Sequence, residues 1–182
     1  LDLESMEELI IRPTMEGLKK EKIPFKGFLY FGVMLTLEGP RLLEYNVRLG
    51  DPEAEVILPL LKSSLVDLID ASCRSSLHDV DMEIRSGFCV DVVLTSQGYP
   101  GNHKVAYEIQ GIEDVESTTL IFHAATKEVQ GKLLTYGGRV LNIVCRGENL
   151  EETIDAVYEE CKKINFTGMT YRKDIGRIVA RV

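Results

Sequence analysis

Apolar residues near the start of the chain recur at helical spacing, with Met6, Leu9, Ile10 and Leu18 on one side and polar residues between them. Ser5-Met6-Glu7-Glu8 has the form of a capping box and predicts the helix start. Pro13 should kink or divide that helix, because proline removes a backbone donor. Beyond the loop at Ile23-Pro24-Phe25, the period changes to that of strands, over Phe28 to Leu35 and again over Arg41 to Val47. The turn composition of Leu37-Glu38-Gly39-Pro40 between them predicts a β-hairpin. Asp51 and Pro52 then read as an N-cap followed by proline at the first helical position. Apolar positions from Val56 to Ile69, broken at Pro59, predict two short helices. The polar stretch Ser72 to Asp81 is the best candidate boundary. Strands are expected after it at Phe88 to Thr95, Thr118 to Ala124 and Val140 to Cys145, and a helix through Leu150, Ile154, Val157, Tyr158, Cys161 and Ile164. The fold class expected is α+β, divided into residues 1–80 and 81–182.

Composition narrows the range of partners. At 182 residues and 45% hydrophobic, the chain can bury a core as one domain or two small ones. A formal net charge of −8 argues against a nucleic-acid or anionic-membrane partner, though not against a phosphorylated small molecule, which needs only local positive charge. No apolar run approaches the roughly 20 residues that span a bilayer, and the acidic start has none of the layout of a signal peptide. Cys73, Cys89, Cys145 and Cys161 never form a C-x-x-C pair, so neither a zinc site nor a redox dithiol is indicated. Cys89 and Cys145, inside apolar runs, read as buried reduced thiols, and a cytoplasmic location fits. The sequence opens without Met and almost directly in a helix, which reads as a cut or incomplete chain.

The chemistry concentrates in Glu44-Tyr45-Asn46-Val47-Arg48. On a strand, Glu44, Asn46 and Arg48 share one face, about 6.6 Å apart in succession, while Leu43, Tyr45 and Val47 face the core. A carboxylate and an amide oxygen can converge on one hard cation. Magnesium takes one or two such protein groups and leaves its other positions to water and phosphate. Arg48 adds a fork of donors for a phosphate or carboxylate. Alone, the pattern more often describes a solvated sheet face.

The continuation Leu43 to Glu53, reading LEYNVRLGDPE, resembles the signature of the phosphoribosylamine–glycine ligases (glycinamide ribonucleotide synthetases), an ATP-grasp family. The resemblance runs on in order through Gly27 to Gly32, Leu58-Pro59-Leu60-Leu61, Gly98-Tyr99-Pro100-Gly101, His123-Ala124-Ala125-Thr126, Gly137 to Leu141 and Tyr171 to Gly176. It implies the C-terminal portion of an ATP-grasp core followed by a small α+β C-terminal domain. It also implies Glu44 and Asn46 as ligands of Mg2+ or Mn2+, with ATP, glycine and 5-phosphoribosylamine as substrates and the remainder of the ligase chain upstream. In such a reaction glycine's carboxylate takes the γ-phosphoryl group of ATP, and the amine of phosphoribosylamine then displaces phosphate. Arg48 and Asp51 are the candidate substrate contacts, although capping would also account for Asp51. Two other readings stay open: a non-catalytic module derived from such an enzyme, and an ATP-grasp ligase with another acceptor.

The remaining candidates have plainer explanations. Glu53 suits the helix dipole, His123 a structural hydrogen bond, Gly137-Gly138-Arg139 a hairpin turn, and Arg172, Lys173 and Asp174 their own ion pairs. Ala106 and Ala125 stand where the family commonly has glycine, which puts the detail of those loops in doubt.

Overall fold

The computed structural model describes residues 3–177. It divides into two compact units, residues 1–51 with 63–83, and residues 52–62 with 84–182.

The first unit opens with α1 (Leu3–Met6), a π-turn over Glu7–Ile11 and α2 (Arg12–Lys20). Ser5 lies within α1 and is not its cap, so the expected capping box does not form. Pro13 sits directly after the π-turn, whose wider i→i−5 bond from the Arg12 N–H to the Glu7 carbonyl lets the helix pass a residue with no N–H. The division expected at Pro13 is therefore present, made by a widened turn. The hairpin follows, as β1 (Tyr30–Thr36) paired antiparallel with β2 (Gly39–Asn46) around the two-residue turn Leu37-Glu38. The helix α4 (Leu65–Arg74), capped by the Ser64 hydroxyl accepting from the Asp67 N–H at 3.3 Å, and a 3-10 turn at Leu77–Asp79 complete the unit. Ile10 and Ala71 are its buried hydrophobic side chains among the described residues, while Leu9, Leu35, Leu43 and Val66 stand more than half exposed. A two-stranded sheet with so little covered surface has little stability of its own.

The second unit holds the core. Strands β3 (Phe88–Ser96), β4 (Leu120–His123), β7 (Arg139–Gly147) and β8 (Met169–Thr170) form an antiparallel sheet in the order β4-β7-β3-β8. Val90, Val92 and Leu94 lie opposite Cys145, Ile143 and Leu141. These side chains pack with Ile154, Val157 and Cys161 of α5 (Leu150–Lys163). The 3.6-residue period of α5 and the two-residue period of β3 thus bury matching stripes. Asn149 caps α5, its side chain accepting from the Glu152 N–H at 3.2 Å, with Glu151 and Glu152 in the first turn and Lys162 and Lys163 in the last. On the other face, Arg146 donates to the Pro59 carbonyl at 3.1 Å, tying the sheet to α3 (Glu53–Leu60). The expected helix pair is present, but its break falls after Leu60, and Pro59 remains inside α3. Burial pushes the Cys161 thiol up to about 12 and the Cys89 thiol up to about 11, the latter against the pull of Arg146. Both thiols are therefore held protonated, although Cys89 is only half-buried.

Two features departed from the sequence pattern. A second hairpin, β5 (Thr126–Val129) with β6 (Lys132–Thr135), turns on Gln130 and Gly131, both in the left-handed region. The glycines at 137 and 138, expected to form a hairpin turn, serve close approach: a Cβ on Gly138 would lie 2.2 Å from the Tyr99 ring, and one on Gly137 2.6 Å from the Ala125 Cβ. Both carbonyls accept from Ser96 at 2.8 Å.

Ala106 occupies φ 70° while its N–H bonds Thr135. The left-handed region costs an L-residue roughly 1–2 kcal/mol, and glycine gives back roughly 0.4–1 kcal/mol through the unfolded chain. Ala106→Gly is therefore expected to raise stability by about 0.5–1 kcal/mol, read as a higher urea midpoint at unchanged m-value.

Glu160, 7% exposed on α5, accepts from the Glu116 N–H at 2.9 Å and from Lys163 Nζ at 2.9 Å. Burial opposes its charge, but these partners together hold its carboxyl below the usual range. A depressed folded pKa adds stability above the unfolded value, and that stability is lost as pH falls through the folded value. Glu160→Gln should thus cost about 1 kcal/mol at pH 7, and the deficit should close below the carboxylate range in urea melts run across pH.

Candidate active site

The site is built on β2 of the first unit. Glu44 and Asn46 project from the same side of the strand, and Asn46 Nδ2 donates to Glu44 Oε1 at 3.1 Å. On the opposite side, the Tyr45 ring meets Phe31 edge-on at 5.5 Å. The Thr14 hydroxyl gives its proton to the Ile10 carbonyl at 2.7 Å, so the Tyr45 hydroxyl donates to Thr14 Oγ1 across 2.8 Å. The helix α2 therefore anchors one face of the strand through Tyr45 and leaves the carboxylate and amide on the other.

The alternation predicted from sequence holds only in part. Gly32 lies opposite Glu44 and Val33 opposite Leu42, so Leu43 is an extra residue, a β-bulge. The bulge takes Leu43 out of the inward row, and it is 63% exposed. The strand ends at Asn46, so Val47 is exposed and Arg48 does not continue the pleat. Arg48 lies in the bend that follows, where Nη1 donates to the Leu49 carbonyl at 2.9 Å. The expected common face of three thus contains two residues. Asp51 lies in the turn before α3 and is not its N-cap, a position that Pro52 holds without a side-chain bond. The binary pattern gives no signal for the bulge, because an inserted leucine looks like one more apolar strand residue.

Chemically, the pair offers hard oxygens. With Nδ2 engaged, the amide oxygen of Asn46 and the second carboxylate oxygen of Glu44 remain to coordinate. Among the described residues no group of three or more His, Cys, Asp or Glu side chains could enclose a metal ion. A partial set of one carboxylate and one amide suits magnesium or manganese shared with phosphate oxygens and water, and does not suit zinc.

In the second unit, two of the other sequence candidates, His123 and Arg172, have local partners. His123 Nδ1 lies 3.0 Å from the Thr126 hydroxyl, and Arg172 pairs with both oxygens of Asp174 at 3.0 and 2.8 Å. The Arg172–Asp174 pair is one of the ion pairs expected in that segment. No helix among the described residues is long and apolar enough to cross a membrane.

Comparison with known proteins bears on this geometry. Residues 2–54 match the model of the phosphoribosylglycinamide synthetase ATP-grasp (A) domain, and residues 89–178 that of the phosphoribosylglycinamide synthetase C domain. Phosphoribosylamine–glycine ligases of Caldanaerobacter subterraneus and Clostridium acetobutylicum are 44% and 46% identical to the chain over 173 and 175 residues. These alignments cover 95% and 96% of the chain but 41% and 42% of those proteins. The crystal structure of the phosphoribosylamine–glycine ligase from Thermotoga maritima superposes with a TM-score of 0.80 at 42% identity, over 94% of this chain and 42% of that one. The chain thus spans about two-fifths of the length of the relatives it matches. On the match of both domain models in order, and on the fold shared with a solved member, the chain belongs to the phosphoribosylglycinamide synthetase family, of which it carries the end of the ATP-grasp domain and the C domain.

Proposed function

We propose that the chain is the C-terminal part of an ATP-dependent ligase that joins glycine to 5-phosphoribosylamine in purine biosynthesis, acting in the cytoplasm. The observation that carries this reading is the Glu44–Asn46 pair, two oxygen donors on one face of a strand within the segment matched to the ATP-grasp domain. Residues 1–80 are assigned to the catalytic portion and 81–182 to the C-terminal domain, with residues 52–62 packing into the second unit.

A carboxylate resists attack by an amine because it has no leaving group. Transfer of the γ-phosphoryl group of ATP to glycine's carboxylate gives glycyl phosphate and ADP. The amine of phosphoribosylamine then attacks the acyl carbon, expels phosphate and forms the amide. The protein's contribution is alignment and charge neutralisation. Glu44 and Asn46 would hold Mg2+ or Mn2+, which when bound neutralises charge on the transferring phosphoryl group. Asn46 contributes an oxygen without adding negative charge. Arg48 and Asp51, on the loop leaving β2, are the candidate substrate contacts, with the Arg48 guanidinium suited to an anionic oxygen once released from the Leu49 carbonyl. The exposed apolar positions of the first unit, Leu43 and Val47 among them, are assigned to contact with the remainder of the ligase.

ADP release by the full-length protein tests the proposal. It should require glycine and phosphoribosylamine together, and residues 1–182 alone should show none. ADP release that ignores glycine, or that another amine supports better, would refute the substrate assignment.

A further inference from the structure

We propose that Gly32 is a positioning residue for Glu44: its missing side chain leaves the space across which the Glu44 side chain lies toward Asn46. The inference rests on the reading of Glu44 and Asn46 as ligands of the nucleotide's cation.

A glycine inside a strand costs stability and calls for a reason. Conformation is not the reason here, since Gly32 is not among the glycines with left-handed φ. Space is. Gly32 lies directly opposite Glu44 in the β1–β2 register, at the point where the bulge shifts the pairing. A Cβ on Gly32 would fall 2.9 Å from the Glu44 Cγ, closer than real contacts allow, but 3.6 and 3.7 Å from Glu44's backbone O and N, which is ordinary contact. The conflict is thus with the side chain and not with the strand. Cγ lies near the root of the glutamate chain, so turning it aside swings the carboxylate through a longer arc. That carboxylate is what meets Asn46 Nδ2 at 3.1 Å. Any side chain at position 32 therefore separates the two oxygen donors that the bulge and the glycine together bring side by side.

The test is a double-mutant cycle in the full-length protein. Mn2+ affinity is read by electron paramagnetic resonance in the presence of a non-hydrolysable ATP analogue, beside the thermal midpoint of each variant. Gly32→Ala should weaken Mn2+ binding about tenfold, within the range that supporting residues exert on bound metals. Glu44→Ala should weaken it at least as much. Adding Gly32→Ala to Glu44→Ala should weaken affinity no further and should leave the midpoint level or slightly raised, because the conflicting Cγ is gone and alanine suits a strand better than glycine. If Gly32→Ala alone does not fold while the double variant does, the contact is equally supported. Unchanged Mn2+ binding in Gly32→Ala, with binding lost in Glu44→Ala, would overturn the positioning role and leave the metal reading intact. Unchanged binding in Glu44→Ala would overturn both. If Gly32→Ala damages folding equally with and without Glu44, the space serves the backbone and the inference fails.

Discussion

Replacing Glu44 by Gln in the full-length protein is expected, on the proposed ligase reading, to lower kcat/KM by at least about a hundredfold, roughly 2.7 kcal/mol of transition-state stabilisation. Gln keeps the shape of the side chain and one carbonyl oxygen, so the strand and its packing are undisturbed. The negative charge is what disappears. Asn46 is neutral, and Glu44 is the one acidic member of the pair on that face, so on the proposed reading its loss would leave the divalent ion held only by dipoles, water and nucleotide. The deficit should shrink as magnesium is raised, because weakened binding is offset by mass action. A variant whose rate is low at every magnesium concentration would instead point to a role for Glu44 in the transfer itself. Asn46→Ala, which removes the neutral member of the proposed ligand pair, should cost less. Steady-state kinetics across a magnesium titration distinguishes these outcomes.

The second large effect concerns stability. Leu141 on β7 is fully buried, lies opposite Leu94 and belongs to the cluster under α5. Leu141→Ala removes that packing at the centre of the sheet, where strands on both sides limit collapse around the gap. The expected loss is about 3–5 kcal/mol, a large part of the 5–15 kcal/mol that holds a typical domain together. With a urea m-value of about 2 kcal/mol per molar, the midpoint should fall by roughly 1.5–2.5 M. A shift below half a molar would mean that the core relaxes around the deletion, or that another element limits unfolding.

Much of this architecture can be read from residue order because its determinants are local. The hairpin is announced by two apolar runs around Leu37-Glu38-Gly39-Pro40, and α5 by a clear helical period that begins after Asn149. The β5–β6 hairpin is less legible. Thr126-Lys127-Glu128-Val129 has no clear apolar row, and its turn uses Gln130-Gly131 where asparagine or aspartate would be the usual signal. Gly137 and Gly138 look like turn residues, yet the reason for them is the Tyr99 ring and Ala125, neighbours that only the tertiary structure supplies. The same holds at the site. That Glu44 and Asn46 share a face follows from the two-residue period of a strand. That Arg48 does not join them follows from the strand ending at Asn46, and the exposure of Leu43 follows from a bulge opposite Gly32. Register and strand length depend on the partner strand, which a pattern along one segment does not contain. The Asp51-Pro52 pair misleads for a related reason: it has the composition of a cap and first turn, but the helix opens one residue later.

The most direct test is a crystal structure of the full-length protein with Mg2+ and a non-hydrolysable ATP analogue. The expected result is an ion about 2.0–2.1 Å from a Glu44 carboxylate oxygen and from Asn46 Oδ1, with phosphate oxygens and water completing its octahedron. An ion held by other residues, with Glu44 and Asn46 still bonded only to each other, would contradict the account.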